Sequence, residues 1–476
     1  MEQMISKARK SSRPAPRRIP GVKEQPVPVR RRGPLSFLHR MISLVLVPLC
    51  VFTWTWRLIL LTRHIVWADV ILQSGATHGF GTTFQSLEVI RRLHQRKNIL
   101  YFAFFEPENH NRYLGLIFGE KIRFFSIRRP EAIFHEFLGR PLILPPRKLH
   151  DTIAKWLNKF WFPIFAKKSA TIYDDPVRLF DHLYELPEVK QRLPNSITRR
   201  DPWNIDRVQC IFIDLFEVEH LHLPDDRRRG IHAKIEEMAT LSNEPIRGLC
   251  GFWLKKDPPH EKSWKDGAPV ENYEKALECL IDAGYVVLWH GDRPLPENYR
   301  RKFRNRLLDA EQLNVQKEIF NLFVPTESDI FIGDSGPGLW MACCNGAPTL
   351  GLNLYPIGTA FRINWAYFKH IVDGNGERVP YDKVFEVCPP EGIDTPEDWR
   401  GVTMTANEIR DAVAAFVAAP VAEGVDPYSW AIDLLPEWPS LKRSKNGRLS
   451  PAWIKHNRVP LRPDTDNSER AAGEDR

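Results

Sequence analysis

Residues 330–353 constrain the fold of this chain more than any other segment. A short apolar run ends at Ile332, the sequence GDSGPG follows at residues 333–338, and an apolar stretch of helical length leads to a second apolar run from Pro348. This order predicts a strand, a turn, a helix and another strand of a parallel sheet. The backbone N–H groups of such a turn and the positive end of the helix dipole favour an anion, and the glycines would let a phosphate approach closely. Helix capping is the alternative role for Asp and Ser here. We predict four nucleotide-binding residues: Asp334, Ser335, Gly336 and Gly338.

The charge of the chain is concentrated at its N-terminus. The formal net charge is +8, but residues 1–40 alone hold eleven Lys and Arg residues against two acids, so the remainder is close to neutral. A nearly neutral body argues against a phosphate-backbone footprint, and we predict no nucleic-acid partner. The seven cysteines show neither zinc-ligand spacing nor a disulfide framework. Their distribution favours a reducing, cytoplasmic compartment.

The N-terminal region predicts an association with a membrane. Residues 1–35 are rich in Pro, Arg and Ser and are predicted to be a disordered basic tail. Residues 36–64 form an apolar segment, but its uncharged part, 41–56, is short for a span at about 1.5 Å per residue. Three interpretations stay open: an interfacial anchor assisted by the basic tail, a single tilted span, or a helix of the soluble domain. We expect the protein on the cytoplasmic face of the inner membrane, peripheral or anchored by this one segment.

The rest of the chain alternates strand-like and helix-like segments. This rhythm predicts an α/β protein with two Rossmann-like, doubly wound domains facing a cleft, at 65–243 and 244–435, followed by a polar tail at 436–476. Val208–Leu215 is a further strand candidate in a region of irregular pattern. Thr405–Glu408 has the form of a capping box that opens the last helix.

An ordered set of motifs in the second domain resembles a known family. Lys262-Ser263-Trp264 is followed by DSGPG at 334–338 and by GAPTLGLN at 346–353. This order is similar to that in ADP-heptose:lipopolysaccharide heptosyltransferases and related surface-carbohydrate glycosyltransferases of GT-B architecture. The resemblance covers residues 245–420, and more weakly 68–130. It implies a nucleotide-sugar donor on the C-terminal domain, a glycan or lipid-linked acceptor on the N-terminal domain, and no cofactor besides the donor substrate.

The resemblance assigns roles to individual residues. Lys262 matches the lysine that meets the donor diphosphate, and Asp334 matches the acid beside the donor. Thr82 stands where the family has the aspartate that serves as its base. Leu339 and Trp340 stand near the position of a family histidine. The acceptor site therefore departs from the family more than the donor site does.

The missing aspartate directs attention to two other candidate bases. His78 lies between glycines in the first strand-to-helix loop, and Glu106 follows the second predicted strand. Both would face the cleft, although an incidental loop histidine and an ordinary strand-end glutamate are the alternatives. The second domain contains no Asp-x-Asp motif to hold a divalent ion. We therefore expect a metal-independent reaction.

Three functions are compatible with these patterns. The leading hypothesis is a glycosyltransferase, inverting or retaining, that acts in the synthesis of cell-envelope polysaccharide. A sugar-nucleotide epimerase of the same architecture is the first alternative. A membrane-attached, non-catalytic sugar- or nucleotide-binding relative is the second.

Overall fold

The computed structural model describes a large part of the chain, and all structural statements below concern that part. Residues Thr55–Arg476 belong to one compact unit. The basic tail at 1–35 lies outside the described residues, as do most of the predicted apolar segment and most of the polar tail. The described residues are 55–56, 58–74, 80–105, 113–119, 121–128, 156–174, 176–191, 212, 215–216, 218–241, 245–255, 267–291, 293–354, 365–380, 396, 398–418 and 448–449.

The first half of the compact unit contains a four-stranded parallel sheet in the order β3-β2-β1-β4. A helical stretch at 58–67 leads into this sheet. The strands are β1 (Val70–Ser74), β2 (Ile99–Phe105), β3 (Ile122–Arg128) and β4 (Thr171–Tyr173). The helices are α1 (Phe80–Leu93), α2 (Gly115–Phe118), α3 (Phe162–Phe165, entered through a π-helical turn at Leu157–Trp161), α4 (Pro176–Glu185), α5 (Pro187–Lys190) and α6 (Asp225–Thr240).

The second half contains a seven-stranded parallel sheet in the order β13-β10-β9-β8-β5-β6-β7, beside a small antiparallel pair β11-β12. The strands are β5 (Gly248–Trp253), β6 (Tyr285–His290), β7 (Leu307–Leu308), β8 (Ile330–Asp334), β9 (Thr349–Leu354), β10 (Trp365–Phe368), β11 (His370–Val372), β12 (Arg400–Val402) and β13 (Arg448–Leu449). The helices are α7 (Glu274–Asp282), α8 (Glu297–Phe303), α9 (Lys317–Glu327), α10 (Pro337–Cys344) and α11 (Ala406–Ala418).

This architecture confirms the α/β class and the parallel sheets predicted from the sequence. Strand β13 comes from within the predicted polar tail and pairs with β10, so part of that tail returns to the sheet. Phe84, Leu87 and Ile90 recur at helical spacing on α1 and are buried. The capping box is also present, because Thr405 donates its backbone N–H to Glu408 Oε2 at 2.8 Å and the Glu408 N–H points back to Thr405 Oγ1 at 3.4 Å.

A buried ion cluster joins α1 to the second half of the unit. The Glu88 carboxylate is fully buried and accepts hydrogen bonds from Arg91 and Arg92 at 2.7–3.1 Å. The two guanidinium groups also donate to the carbonyls of Glu219 and Phe216. Arg92 further reaches the carbonyl of Cys344 at the C-terminal end of α10, where a cation complements the helix dipole.

Two details of the sequence interpretation differ from the structure. Val208–Leu215 was expected to be a strand, but Phe212 and Leu215 are helical. The reason is local, because the Phe216 N–H donates to the Phe212 carbonyl and the two rings stack with centroids 4.6 Å apart. The predicted membrane segment was expected to end at residue 64, but the helix at 58–67 passes through that position with Leu61 and Ile65 buried. Among the described residues, no helix combines the length and apolarity that a membrane span requires.

The Glu408 cap generates a test of stability against pH. Burial alone would raise the pKa of Glu408, but hydrogen bonds to His370 and Thr405 lower this pKa from 4.5 to about 2. Ionised Glu408 therefore stabilises the folded state above pH 4.5, and its contribution is lost as the pH falls toward 2. We expect Glu408→Gln to lower the free energy of unfolding at neutral pH by roughly 1–3 kcal/mol. Denaturant titrations at a series of pH values should show this difference narrowing in acid.

The control for this experiment is Glu237→Gln, because Glu237 lies on the exposed face of α6. This variant should unfold like the wild-type chain at every pH. If the loss of unfolding free energy in Glu408→Gln stayed constant down to the lowest pH at which the wild-type chain folds, the lowered pKa of Glu408 would be contradicted.

Candidate functional site

The candidate site lies where the strand order of the seven-stranded sheet changes direction. From β5 the chain first builds outward through β6 and β7, and then returns to place β8, β9 and β10 on the other side of β5. Strands β5 and β8 are adjacent and parallel at this point. In open parallel sheets, ligands bind in the crevice outside the carboxyl ends of such strands. Trp253 ends β5 and Asp334 ends β8, so these two residues mark the crevice.

The predicted phosphate-binding turn leads directly from β8 into α10. Gly336 is the N-cap residue with an extended backbone (φ 170°, ψ −176°), and Pro337 occupies the first helical turn. No side chain caps this helix end. The first backbone N–H groups of α10 are therefore not satisfied by a cap, which is the arrangement that binds anions at helix N-termini. Ser335 and Gly336 are half-buried beside them.

Asp334 is the centre of a buried hydrogen-bond network. Its side chain is 2% exposed, Oδ1 accepts from Tyr273 (2.8 Å) and Asn353 (3.1 Å), and Oδ2 accepts from the backbone N–H of Lys255 (3.2 Å). Burial raises the pKa of Asp334, and these hydrogen bonds and the nearby Lys369 oppose that effect. Burial and the adjacent carboxylate also raise the pKa of Tyr273 well above its usual value. The carboxylate therefore ties β8 to α7, to β9 and to the end of β5, and ribose contact stays a prediction.

Asn353 extends this network to the last helix. It is the penultimate residue of β9, the strand that pairs with β8, and it has a left-handed backbone (φ 51°) that is uncommon outside glycine. Its amide donates to the Tyr273 hydroxyl at 3.0 Å, and its Oδ1 accepts from the Met404 N–H at 2.8 Å. The turn before α11 is thus fixed to the same carboxylate that precedes the phosphate-binding turn.

The indole of Trp253 lies on the glycines of the candidate site. A Cβ atom placed on Gly336 would collide with the six-membered ring of this indole. A Cβ atom on Gly338 would lie 3.1 Å from its Cδ1, and one on Gly291, whose φ is +101°, would lie 2.6 Å away. The glycines that were predicted to admit a phosphate therefore admit an aromatic ring in this structure.

His290 lies beneath this arrangement at the end of β6. Its side chain is 4% exposed, and its ring contacts Phe331 edge-on with centroids 5.4 Å apart. Burial lowers the pKa of His290 to about 3, although Asn321 opposes the effect, so the imidazole is neutral. Neither ring nitrogen meets the geometry of a hydrogen bond to any described residue. A Cβ atom on Gly338 would lie 2.9 Å from its Cε1, so this unsatisfied ring adjoins the first turn of α10.

The other predicted site residues, Lys262, His78 and Glu106, lie outside the described residues. The flanks of their loops are described, however, and they converge on the same place. Lys255 and Gly267, which flank the Lys262 loop, both lie against the Asp334 carboxylate, with a Cβ atom on Gly267 only 2.6 Å from Oδ2. A Cβ atom on Gly81, three residues after His78, would lie 3.1 Å from Cγ of Pro337.

The residue that precedes Glu106 in the sequence, Phe105, ends β2 at the same edge of the first sheet. Strand β2 is paired in parallel with β1 through Ser74 and Ala103. The carboxyl ends of β1 and β2 therefore lie side by side, where the loops after them begin. The start of α1 brings this edge to the N-terminus of α10.

Sequence reasoning missed four residues of the site: Trp253, Tyr273, His290 and Asn353. Three of them end, or nearly end, strands β5, β6 and β9, and this shared position was the available signal. Tyr273 carried no such signal, because it precedes α7 and does not end a strand. Within the described segments, no group of three metal-ligating side chains lies close enough to hold an ion, and metal independence stays a prediction.

Comparisons with known proteins gave similarity only among solved structures. No protein-family model matches the chain. No curated protein matches it either.

The similar solved structures include heptosyltransferases, as the motif order predicted. A glycosyl transferase family 9 protein of Veillonella parvula is 13% identical over 60% of this chain and 80% of its own, with a TM-score of 0.32. E. coli ADP-heptose LPS heptosyltransferase II is 15% identical over 60% of this chain and 84% of its own, with a TM-score of 0.31. A UGT transferase of Siraitia grosvenorii in complex with UDP is 11% identical over 82% of this chain and 98% of its own, with a TM-score of 0.30. Because these TM-scores are low, the function argued below depends on the residues of the site.

The position of the Trp253 indole can be tested by a double-mutant cycle. Gly336→Ala should lower the free energy of unfolding by about 1–3 kcal/mol, because the added methyl group collides with the indole. In a Trp253→Ala background the same substitution should cost less than half as much. Denaturant unfolding of the four proteins measures the coupling between the two positions.

Gly230→Ala is the matched control. A Cβ atom there meets no heavy atom within 4 Å, and Gly230 lies inside α6, so the substitution should stabilise the protein by about 0.5–1 kcal/mol. If the effects of Gly336→Ala and Trp253→Ala on the free energy of unfolding are additive, the indole does not lie against Gly336.

Proposed function

We propose that this protein is a glycosyltransferase that moves a sugar from a nucleotide-sugar donor to a cell-surface glycan or lipid-linked acceptor. One observation carries the proposal. The start of α1, at the carboxyl edge of the first sheet, contacts Pro337 at the uncapped N-terminus of α10, at the carboxyl edge of the second sheet. This contact supports an arrangement in which a base from one half and an anion-binding turn from the other act at a single place.

The donor belongs on the second half of the unit. Its diphosphate would face Ser335 and the first N–H groups of α10, where the helix dipole favours negative charge. The residues on either side of the Lys262 loop, Lys255 and Gly267, both lie against Asp334. Lys262 is five residues from Gly267 in the sequence, and five residues of chain span at most about 18 Å. Lys262 is therefore within reach of the same phosphates. His290 would add a neutral hydrogen-bond donor at the first turn of α10.

The reaction is a displacement at the anomeric carbon of the sugar. The acceptor oxygen forms the new C–O bond, and its proton passes to a base on the first half of the unit. The bond to the diphosphate breaks, and the nucleoside diphosphate leaves with the electron pair. Positive charge from Lys262 and the N–H groups of α10 would stabilise the departing anion. One displacement inverts the anomeric centre, whereas two in succession retain it.

The donor-site assignment predicts the effect of two substitutions. Ser335→Ala and Lys262→Ala should each weaken nucleotide-sugar binding by roughly 1–3 kcal/mol, because each removes a hydrogen bond to a charged phosphate. Calorimetric titration with UDP-, GDP-, ADP- and CMP-sugars measures the loss and identifies the nucleotide. Lys275→Ala is the control, since this lysine lies on the exposed surface of α7 and bonds Asn407. Unchanged affinity in both test variants would refute the phosphate-binding turn.

The catalytic base is tested separately from donor binding. A positioned base contributes a factor of about 10²–10⁴, so His78→Ala should lower turnover at least about 100-fold while donor affinity stays nearly constant. Glu106→Gln is the companion variant, because the carboxyl end of β2 opens at the same edge. An inactive Glu106→Gln beside an active His78→Ala would move the base to Glu106. Full activity in both would exclude both residues, and donor binding without turnover in the wild-type chain would favour the non-catalytic alternative.

A further inference from the structure

Exposed apolar side chains are concentrated on two neighbouring helices of the first half. Of the ten large apolar side chains that are exposed in the described part of the chain, seven belong to the helical residues 55–56, 58–67 and 156–165. We call these seven the aromatic face: Trp56, Ile59, Leu60, Val66, Trp156, Phe160 and Ile164.

The two helices of the aromatic face are in contact. The Trp161 indole donates a hydrogen bond to Thr62 Oγ1 at 3.2 Å, and the Lys167 ammonium donates to the Trp67 carbonyl at 3.0 Å. The exposed residues therefore form a patch shared by both helices. Isolated exposed apolar residues need no explanation, but a contiguous patch of this kind marks an interaction surface.

Each of the two helices has two apolar sides, and only one of these sides packs against the rest of the protein. On residues 55–67 the inner side is formed by Leu61 and Ile65, which are fully buried. On the second helix the inner side is formed by Leu157 and Phe162, while Trp156, Phe160 and Ile164 recur every four residues on the outer side. The inner packing explains why these segments fold as helices, and it leaves the outer apolar sides unexplained.

The charged residues of the two helices are all basic, and just beyond the helices Lys167 pairs with Asp69 at 2.7 Å. Residues 55–67 and 156–170 contain no Asp or Glu. Arg63, Lys159, Lys167 and Lys168 are exposed, and the Lys159 ammonium lies 5.4 Å from the ring centroid of Phe160. Tryptophan and aliphatic side chains bordered by Lys and Arg suit the boundary between lipid headgroups and acyl chains. The adjoining sequence at 41–56 is uncharged, and residues 1–40 are strongly basic.

We propose that the aromatic face docks on the surface of a bilayer that contains anionic lipid. The outer sides of both helices enter the headgroup boundary, and the flanking Arg and Lys side chains contact the anionic headgroups. This contact belongs to the folded body and is separate from any anchoring by residues 36–54. It is also independent of the sugar-transfer chemistry, and it would hold the first half of the unit against the lipid surface.

Site-directed photo-crosslinking tests this surface on the full chain. Ile164 is replaced by the photoreactive residue p-benzoyl-phenylalanine, and a second protein carries the same replacement at Leu241, because both positions are 68% exposed. The proteins are irradiated with vesicles of phosphatidylglycerol and phosphatidylcholine, and the products are identified by mass spectrometry. We expect lipid adducts at position 164 and at least about tenfold fewer at position 241. Equal yields of lipid adducts at the two positions would overturn the proposal. It would also be overturned if position 164 formed adducts only with residues 36–54 or with a second copy of the chain.

A charge substitution gives a second, independent readout. The double variant Ile59→Glu, Ile164→Glu should lower the vesicle partition coefficient of the full chain by at least about tenfold. Leu241→Glu should leave it within about twofold. Nucleotide-sugar binding in solution should be unchanged in both, which separates a failure of this surface from a failure of the donor site. An unchanged partition coefficient in the double variant would overturn the proposal.

Discussion

The position of the two halves of this protein depends on the buried carboxylate of Glu88. Arg91 and Arg92 pair with it and at the same time donate to carbonyls at residues 216 and 219 and at the end of α10. Removing one partner of a buried ion pair leaves an uncompensated charge, which is strongly destabilising. The cluster therefore holds α1 along α10, and the contact of Gly81 with Pro337 follows at the other end of the helix pair. Without that alignment the start of α1 would not meet the turn after β8.

A second buried carboxylate, that of Asp334, shapes the candidate site. Asp334 accepts from Tyr273, Asn353 and the Lys255 backbone, so one side chain fixes the ends of β5 and β8, the start of the Lys262 loop and, through Asn353, the entry to α11. A site whose supporting groups are already hydrogen-bonded to one another needs little rearrangement when charge develops in it. The aspartate that the family resemblance predicts beside the donor is the residue that orders the surrounding backbone.

Local patterns in the sequence predicted most of the fold, whereas side-chain packing in the site was beyond them. The alternation of strands and helices and the Thr405–Glu408 cap could be predicted because each depends on residues close together in the sequence. The alternation of strands and helices predicted parallel sheets, whereas the adjacency of β5 and β8 was learned only from the structure. The indole on Gly336 and the contact of Gly267 with Asp334 join residues 67 or more positions apart, so no local pattern reports them. Phe212 was mistaken for a strand residue because its helical partner, Phe216, lay just beyond the apolar run.

The indole of Trp253 fills space in the candidate site that a ligand would need. Any anion that is to reach the backbone of the turn must share or take the space that the ring now fills between Gly291, Gly336 and Gly338. Binding and displacement of the ring are then one thermodynamic event. The measured association constant equals the intrinsic constant multiplied by the fraction of molecules whose ring has already moved away. Selectivity can therefore reside in how well a ligand replaces the contacts of the tryptophan, and this favours a ligand that brings an aromatic base along with its phosphates.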